Sequence, residues 1–392
     1  MRIRWFLAIS LLIWLGLLTL VACDVLSSPK GSTVAPTVTL SPTATPLPPT
    51  LSLAATPTPP TPSPTATVTP SPPPPSPTAT PTPEGPTVSG IVIDADGPVV
   101  GATVRVRATD NKTTTAADGS FTLGSLTAGV PVSITAWIEG YFVGWTSAAP
   151  DTELVTITIK PYYTTDNPDY TWFSMEGAEG SKSCSHCMPA YPEWQADAHS
   201  QSAVNPRFLT MYNGTDVRGN QSPTTRHGYS RDYGSFPLRP DPNKPYYGPG
   251  YKLDFPNTAG NCSTCHVPAA AAKPGRAYAA DPNQRSGIET EGVFCEFCHK
   301  IGDVTLDPTT GLPYPNMPGV LSMQLHRPEE GQQLFFGNFD DVTRRVSYLP
   351  LEEESAFCAP CHFGMFWDMV IYDSFGEWLR SPYSDPETGQ TC

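Results

Sequence analysis

The chain has 392 residues, 37 acidic against 23 basic, a formal net charge of −14 and only 15% charged positions. That balance excludes nucleic acid as a partner, because affinity for phosphates rests on Lys and Arg; it suits a protein kept soluble by acidity, or one that draws in a basic partner. Of the 47 prolines, 20 crowd into residues 24–86, so a packed core must come from far fewer residues than the full length.

Arg2 and Arg4 precede an apolar run from Trp5 to Ala22, the charge pattern of a secretory signal. The run is also about long enough to span a bilayer. Its end, Leu20-Val21-Ala22-Cys23, resembles the bacterial lipobox, so residues 1–23 read as a lipoprotein signal peptide with Cys23 the lipidation site and an uncleaved helix as the alternative. Either way the rest lies outside the cytoplasm, lipid-anchored to the outer face of the cytoplasmic membrane or at the cell surface. Several acyl chains would make that anchor durable.

Residues 24–86 are a Pro/Thr/Ser-rich stalk with almost no charge or aromatic residue. Such a segment cannot bury enough apolar area to offset chain entropy and is expected to remain largely polyproline II. Fully extended, about 60 residues at about 3.1 Å each reach about 180 Å.

Between residues 87 and 163 the pattern changes to period two, as in Val88-Ser89-Gly90-Ile91, Thr103-Val104-Arg105-Val106, Ser120-Phe121-Thr122-Leu123 and Val132-Ser133-Ile134-Thr135. Turn residues such as Asp96-Gly97-Pro98 and Asp118-Gly119 separate these runs, which predicts a small antiparallel β-sandwich. The segment resembles the carboxypeptidase regulatory-like, transthyretin-type domain. That resemblance implies a fold and almost nothing of function. A spacer is the expected role, with adhesion through the sandwich the minority reading.

Residues 164–392 hold the chemistry. Cys262-Ser263-Thr264-Cys265-His266, Cys295-Glu296-Phe297-Cys298-His299 and Cys358-Ala359-Pro360-Cys361-His362 are three complete Cys-x-x-Cys-His motifs. Two thiols three positions apart can each form a thioether to one porphyrin, and the following histidine can ligate its iron: the motifs read as covalent haem c sites with His266, His299 and His362 proximal. Structural zinc does not need a histidine after each second cysteine, and a thioredoxin-like dithiol needs a βαβ setting that is absent.

The fourth pair, Cys184-Ser185-His186-Cys187-Met188, has Met188 where the ligand histidine should stand. Methionine sulfur ligates haem iron, so a haem with Met188 axial is the reading adopted, and a Cys184–Cys187 disulfide is the alternative. Cys392, at the end of the sequence, reads as the first cysteine of a further motif in a longer chain. Of the remaining histidines, His199, His227 and His326 match the three proximal ones in number and are the distal candidates. His199 ends a short predicted helix, Pro192-Glu193-Trp194-Gln195-Ala196-Asp197-Ala198-His199, weakly echoed at Glu377-Trp378-Leu379-Arg380-Ser381-Pro382-Tyr383.

These segments, with Ser286-Gly287-Ile288-Glu289 leading into Cys295, resemble the multihaem cytochromes related to the tetrahaem cytochrome of nitrifying bacteria and octahaem hydroxylamine oxidoreductase. The resemblance implies closely packed, mostly bis-histidine haems passing electrons along a chain; Met188 departs from it. The expected fold is multidomain, an all-β sandwich followed by a mostly irregular, short-helix domain organised around covalent haem. The expected function is electron transfer to a redox partner protein or another cytochrome, with the membrane reached through the lipid anchor. A multihaem oxidoreductase acting on a small nitrogen or sulfur compound at an open axial position is the alternative, and a surface adhesin the second.

Overall fold

The structure, a computed structural model, describes residues 85–151, 154–172, 180–187, 189–232, 234–238, 243–248, 250–343, 346–366 and 369–391. The expected signal with Cys23, nearly all of the expected stalk, Met188 and Cys392 lie outside the described residues. Among the described residues no helix is long and apolar enough to cross a membrane.

The first part is a β-sandwich. Its strands are β1 (Val88–Ile93), β2 (Thr103–Val106), β3 (Lys112–Thr114), β4 (Ser120–Leu123), β5 (Val132–Trp137), β6 (Tyr141–Phe142), β7 (Gly144–Ala148), β8 (Val155–Thr158) and β9 (Lys160–Pro161). One sheet has the order β4-β1-β8, the facing one β3-β2-β5-β7, and β6 pairs with β9 at the margin. Alternation turns Val88 and Val92 of β1, Val104 of β2, Phe121 and Leu123 of β4 and Ile157 of β8 into one buried core. The predicted all-antiparallel pairing fails at β8, which runs parallel to β1 with Gly90 opposite Val155. The chain reaches β8 from β7 in the other sheet, so it crosses between layers instead of turning back through a hairpin.

Two side chains do backbone work in the turns. Asp94 accepts from the amides of Asp96 and Gly97 at 2.8 and 3.0 Å, closing the Asp96-Gly97 turn. Buried Thr115 accepts from the Ala102 amide at 2.8 Å and donates to the Val99 carbonyl at 2.7 Å.

The second part contains short helices, none longer than Pro206–Asn213, mixed with small strand pairs that the sequence pattern did not predict. These are the hairpins His227–Ser230 with Gly234–Pro237, Ile301–Val304 with Met323–Leu325 and Gly364–Phe366 with Met369–Tyr372, and the parallel pair Phe335–Gly337 with Val346–Tyr348. Each is too short to show a period-two signature. Apolar interior is thin: one cluster consists of Ala203, Val267, Ala270, Ala271 and Ala280, and another centres on Phe294, Phe297, Ile301 and Leu325.

The sandwich does not stand apart as a spacer would. Arg105 of β2 lies 3.0 Å from Asp340 as an ion pair, and the Ala108 amide donates to Asp341 at 2.6 Å. The Trp137 and Tyr348 rings meet edge to face, centroids 4.8 Å apart.

Candidate haem-attachment site

Each complete motif contains a single helical turn, at Ser263–His266, Cys295–Cys298 and Ala359–His362. The His266 amide donates to the Cys262 carbonyl at 3.1 Å, and the His299 amide to the Cys295 carbonyl at 3.1 Å. Positions i, i+3 and i+4 share one side of a helical turn, so both thiols and the histidine of a motif project the same way. The incomplete pair is different. Cys184 ends a 3-10 turn, the Cys187 amide donates to the Cys184 carbonyl at 2.9 Å, and His186 is held 3.1 Å from its neighbour's carbonyl on Ser183.

Two of the three proximal candidates are oriented by backbone carbonyls. His266 Nδ1 lies 3.1 Å from the Ser202 carbonyl and His299 Nδ1 2.6 Å from the Phe336 carbonyl. A carbonyl only accepts, so Nδ1 carries the proton in both rings and Nε2 is left with its lone pair available to a metal. Burial pushes His266 below the ordinary histidine value and so favours the neutral form that a metal requires. At His299 burial acts the same way and is the largest single cause, but Glu352, 3.6 Å away, the Phe336 carbonyl and Cys295 together outweigh it and the net shift is upward.

The distal candidates separate. His199 is oriented by Asp197, whose carboxylate lies 2.6 Å from Nδ1, and its ring stands 5.9 Å from that of His362, centroid to centroid. His326 is 7% exposed, and neither ring nitrogen has a hydrogen-bond partner. It sits beside Phe336 and Tyr162, seated where a Cβ on Gly302 would lie 2.8 Å from its Nε2. His227 is exposed at the start of a hairpin, paired with Pro237.

The first and third complete motifs meet, for the Cys265 thiol donates to the Pro360 carbonyl at 3.8 Å. Interaction with Cys295 raises Cys184, and Cys184 in turn lowers Cys295 to about 6. Interaction between Cys265 and Cys361 lowers the first and raises the second. Cys298 is pushed up to about 12, chiefly by burial. The first and third complete motifs are thus neighbours although the second lies between them in the chain.

A narrow cavity of about 50 Å³ opens beside Cys262, Cys265 and His266, walled by Phe208, Tyr212 and Tyr372. It has room for a water or two and not for a macrocycle. His266 stacks on Phe208 at 3.7 Å, so these aromatic walls would have to part to admit one.

Sequence reasoning missed a buried polar group directly after the second motif. Lys300 is 0% exposed; its ammonium donates to the Leu334 carbonyl, lies 3.5 Å from Glu296 and sits 3.8 Å over the Phe335 ring. Burial lowers it to about 8, with Glu296 opposing. Tyr170 donates to Glu296 at 2.5 Å. The i, i+4 spacing of Glu296 and Lys300 was the available signal, overshadowed by the haem motif it overlaps.

Among the described residues, no three His, Cys, Asp or Glu side chains converge on one point, as a tetrahedral zinc site requires. A covalent haem places its thiols at the ring edge and its histidine over the iron, so it calls for no such cluster.

Residues 87–160 match the carboxypeptidase regulatory-like domain family, and this segment is such a domain. No curated protein matches the chain. Among solved structures, an N-terminal and a C-terminal interface mutant of a type II cohesin-X-dockerin complex from Acetivibrio cellulolyticus are each 20% identical over 19% of this chain. The chain spans 52% of each of those chains at a TM-score of 0.16, a likeness that carries no argument.

Proposed function

We propose that the chain is an extracytoplasmic electron carrier, lipidated at Cys23 and raised on the stalk of residues 24–86. In this reading Cys262/Cys265, Cys295/Cys298 and Cys358/Cys361 hold haem c covalently, with His266, His299 and His362 as proximal ligands. The observation that carries it is the repetition: three Cys-x-x-Cys-His segments each contain a helical turn, and the first meets the third where the Cys265 thiol donates to the Pro360 carbonyl at 3.8 Å. Haem supplies a reversible one-electron couple tuned by its axial ligands and its burial.

The chain's own residues attach, orient and exclude water. The Ser202 and Phe336 carbonyls keep the proton on Nδ1 of His266 and His299. His199 is supported as a distal ligand by its position facing His362. His326 is supported by the roughly 1–3 kcal/mol that an unpartnered buried imidazole costs until something satisfies it. His227 rests on the count of histidines alone. Cys184 and Cys187, with Met188, are a fourth attachment site in this reading.

The mutual influence of Cys184 and Cys295, and of Cys265 and Cys361, leads to a second reading without haem, in which these pairs are disulfides in an oxidising compartment. Intact mass separates the two. Expressed with c-type maturation machinery, the chain is expected to gain three or four haem masses and to give low-spin ferric and ferrous spectra. Loss of two hydrogens per bridge, with no haem added, would replace the first reading by the second. A high-spin component that binds nitrite or hydroxylamine would move the function to the oxidoreductase alternative.

A further inference from the structure

The strand Val346–Tyr348 has two sets of neighbours. On one side it is the parallel partner of Phe335–Gly337, with Ser347 opposite Phe336. On the other it is where the sandwich is fastened: the Ser347 hydroxyl donates to the Tyr141 carbonyl at 2.8 Å and accepts from Trp137 Nε1 at 3.2 Å. Beside it the Val143 amide donates to the Val346 carbonyl at 3.0 Å. Ser347 is 0% exposed and Phe336 1%.

Phe336 in turn exchanges two hydrogen bonds with the second motif. Its amide donates to the His299 carbonyl at 2.9 Å, and its carbonyl accepts from His299 Nδ1 at 2.6 Å. Two residues, Ser347 and Phe336, thus connect the sandwich's Trp137 to the His299 imidazole. A second contact runs alongside, because Tyr162, which directly follows β9, packs edge to face on Phe336 with centroids 5.2 Å apart.

A two-stranded pair of three residues a side is not stable by itself in water and takes its order from what it packs against. Here that support is the sandwich. We infer that the carboxypeptidase regulatory-like domain is a brace for the second motif, and that Ser347 is a positioning residue for His299. Removing its hydroxyl leaves the Trp137 indole N–H and the Tyr141 carbonyl short of a partner in a buried place, which loosens the strand pair and frees the His299 ring to turn. The ligand role of His299 rests on the proposed haem reading; the link from the sandwich to the imidazole does not.

The test compares the full chain with its Ser347→Ala and Arg105→Gln variants by peptide-resolved hydrogen exchange. In Ser347→Ala the amides of residues 335–337 are expected to exchange about tenfold faster while β1 is unchanged. Arg105→Gln, which removes only the ion pair to Asp340, is expected to accelerate the same amides about threefold and decides the matter if Ser347→Ala also loosens β1. Exchange at 335–337 unmoved in both variants would overturn the brace. In haem-loaded protein, one reduction midpoint is expected to shift in Ser347→Ala and none in Thr122→Ala, whose hydroxyl pairs with Ser89 on an exposed part of the sandwich. Intact mass of the same samples keeps the two ideas apart. Faster exchange in a protein with no haem on Cys295 and Cys298 keeps the brace and overturns the haem reading, whereas full haem content with unmoved exchange does the reverse.

Discussion

His199 and His362, distant in sequence, face each other with ring centroids 5.9 Å apart, and Asp197 fixes the first of them through Nδ1. Two imidazoles presented across a gap are the arrangement from which a six-coordinate iron is built. In haem-loaded protein His199→Ala is therefore expected to convert one haem from low to high spin with no change in mass. His227→Ala, on its exposed hairpin, is expected to leave every band in place. Optical and paramagnetic resonance spectra check both; a low-spin spectrum in His199→Ala would remove it from the ligand set.

Gly302 makes room for His326. A Cβ there would lie 2.8 Å from both Cε1 and Nε2 of the ring, too close for any real contact. Gly302→Ala should displace the imidazole from its place beside Phe336. The expected result is the spectral change of His326→Ala, high-spin character in a different haem from that affected by His199→Ala. Identical spectra for Gly302→Ala and the parent chain would count against His326 as a ligand.

Gly90 lies where β1 and β8 run parallel, and a Cβ would stand 2.3 Å from the Val155 carbonyl oxygen and 2.9 Å from the Phe121 ring. The backbone cannot yield without parting the strands. Gly90→Ala is expected to destabilise the sandwich by about 1–3 kcal/mol, the ordinary cost of overpacking, measured by denaturant unfolding of the full chain.

Asp94 accepts from the Tyr141 hydroxyl first, then from the Asp96 and Gly97 amides, and these bonds hold its carboxyl below the ordinary aspartate value of 3.8. A group with a depressed folded value stabilises fully above its unfolded value and loses that contribution as pH falls through the lowered one. Asp94→Asn should therefore flatten the acid limb of the stability curve below about pH 4 and change its shape little near neutrality. An unchanged acid limb would show that the carboxylate is not differentially stabilised.

The sandwich was largely legible in the sequence because alternation and turn chemistry are local. Val88, Val104, Phe121 and Ile134 announce their faces within four-residue windows, and Asp118-Gly119 announces its turn. The parallel β1–β8 pairing was not legible, since nothing in Val155–Thr158 encodes direction. The motifs were legible as covalent spacing, but their neighbours were not: that Cys265 meets the Pro360 carbonyl, or that the Phe336 carbonyl meets His299, depends on loops with no periodicity. Lys300 escaped because a buried ammonium is visible only when the Leu334 carbonyl and Phe335 ring that satisfy it are in place. The count of histidines treated His227 as the equal of His199 and His326, and only position in space separates them.

That the first complete motif meets the last bears on how the protein is made. Chains are synthesised and fold from the N-terminus onward. Cys262-Ser263-Thr264-Cys265-His266 emerges before the other complete motifs, yet its Cys265 thiol donates to the Pro360 carbonyl of the last one. The first complete motif therefore cannot be closed over until the last one has emerged. Contacts of such sequence separation form slowly, and that delay leaves Cys262 and Cys265 open to covalent chemistry throughout the interval, before the aromatic side chains of Phe208 and Tyr372 shut the space beside them.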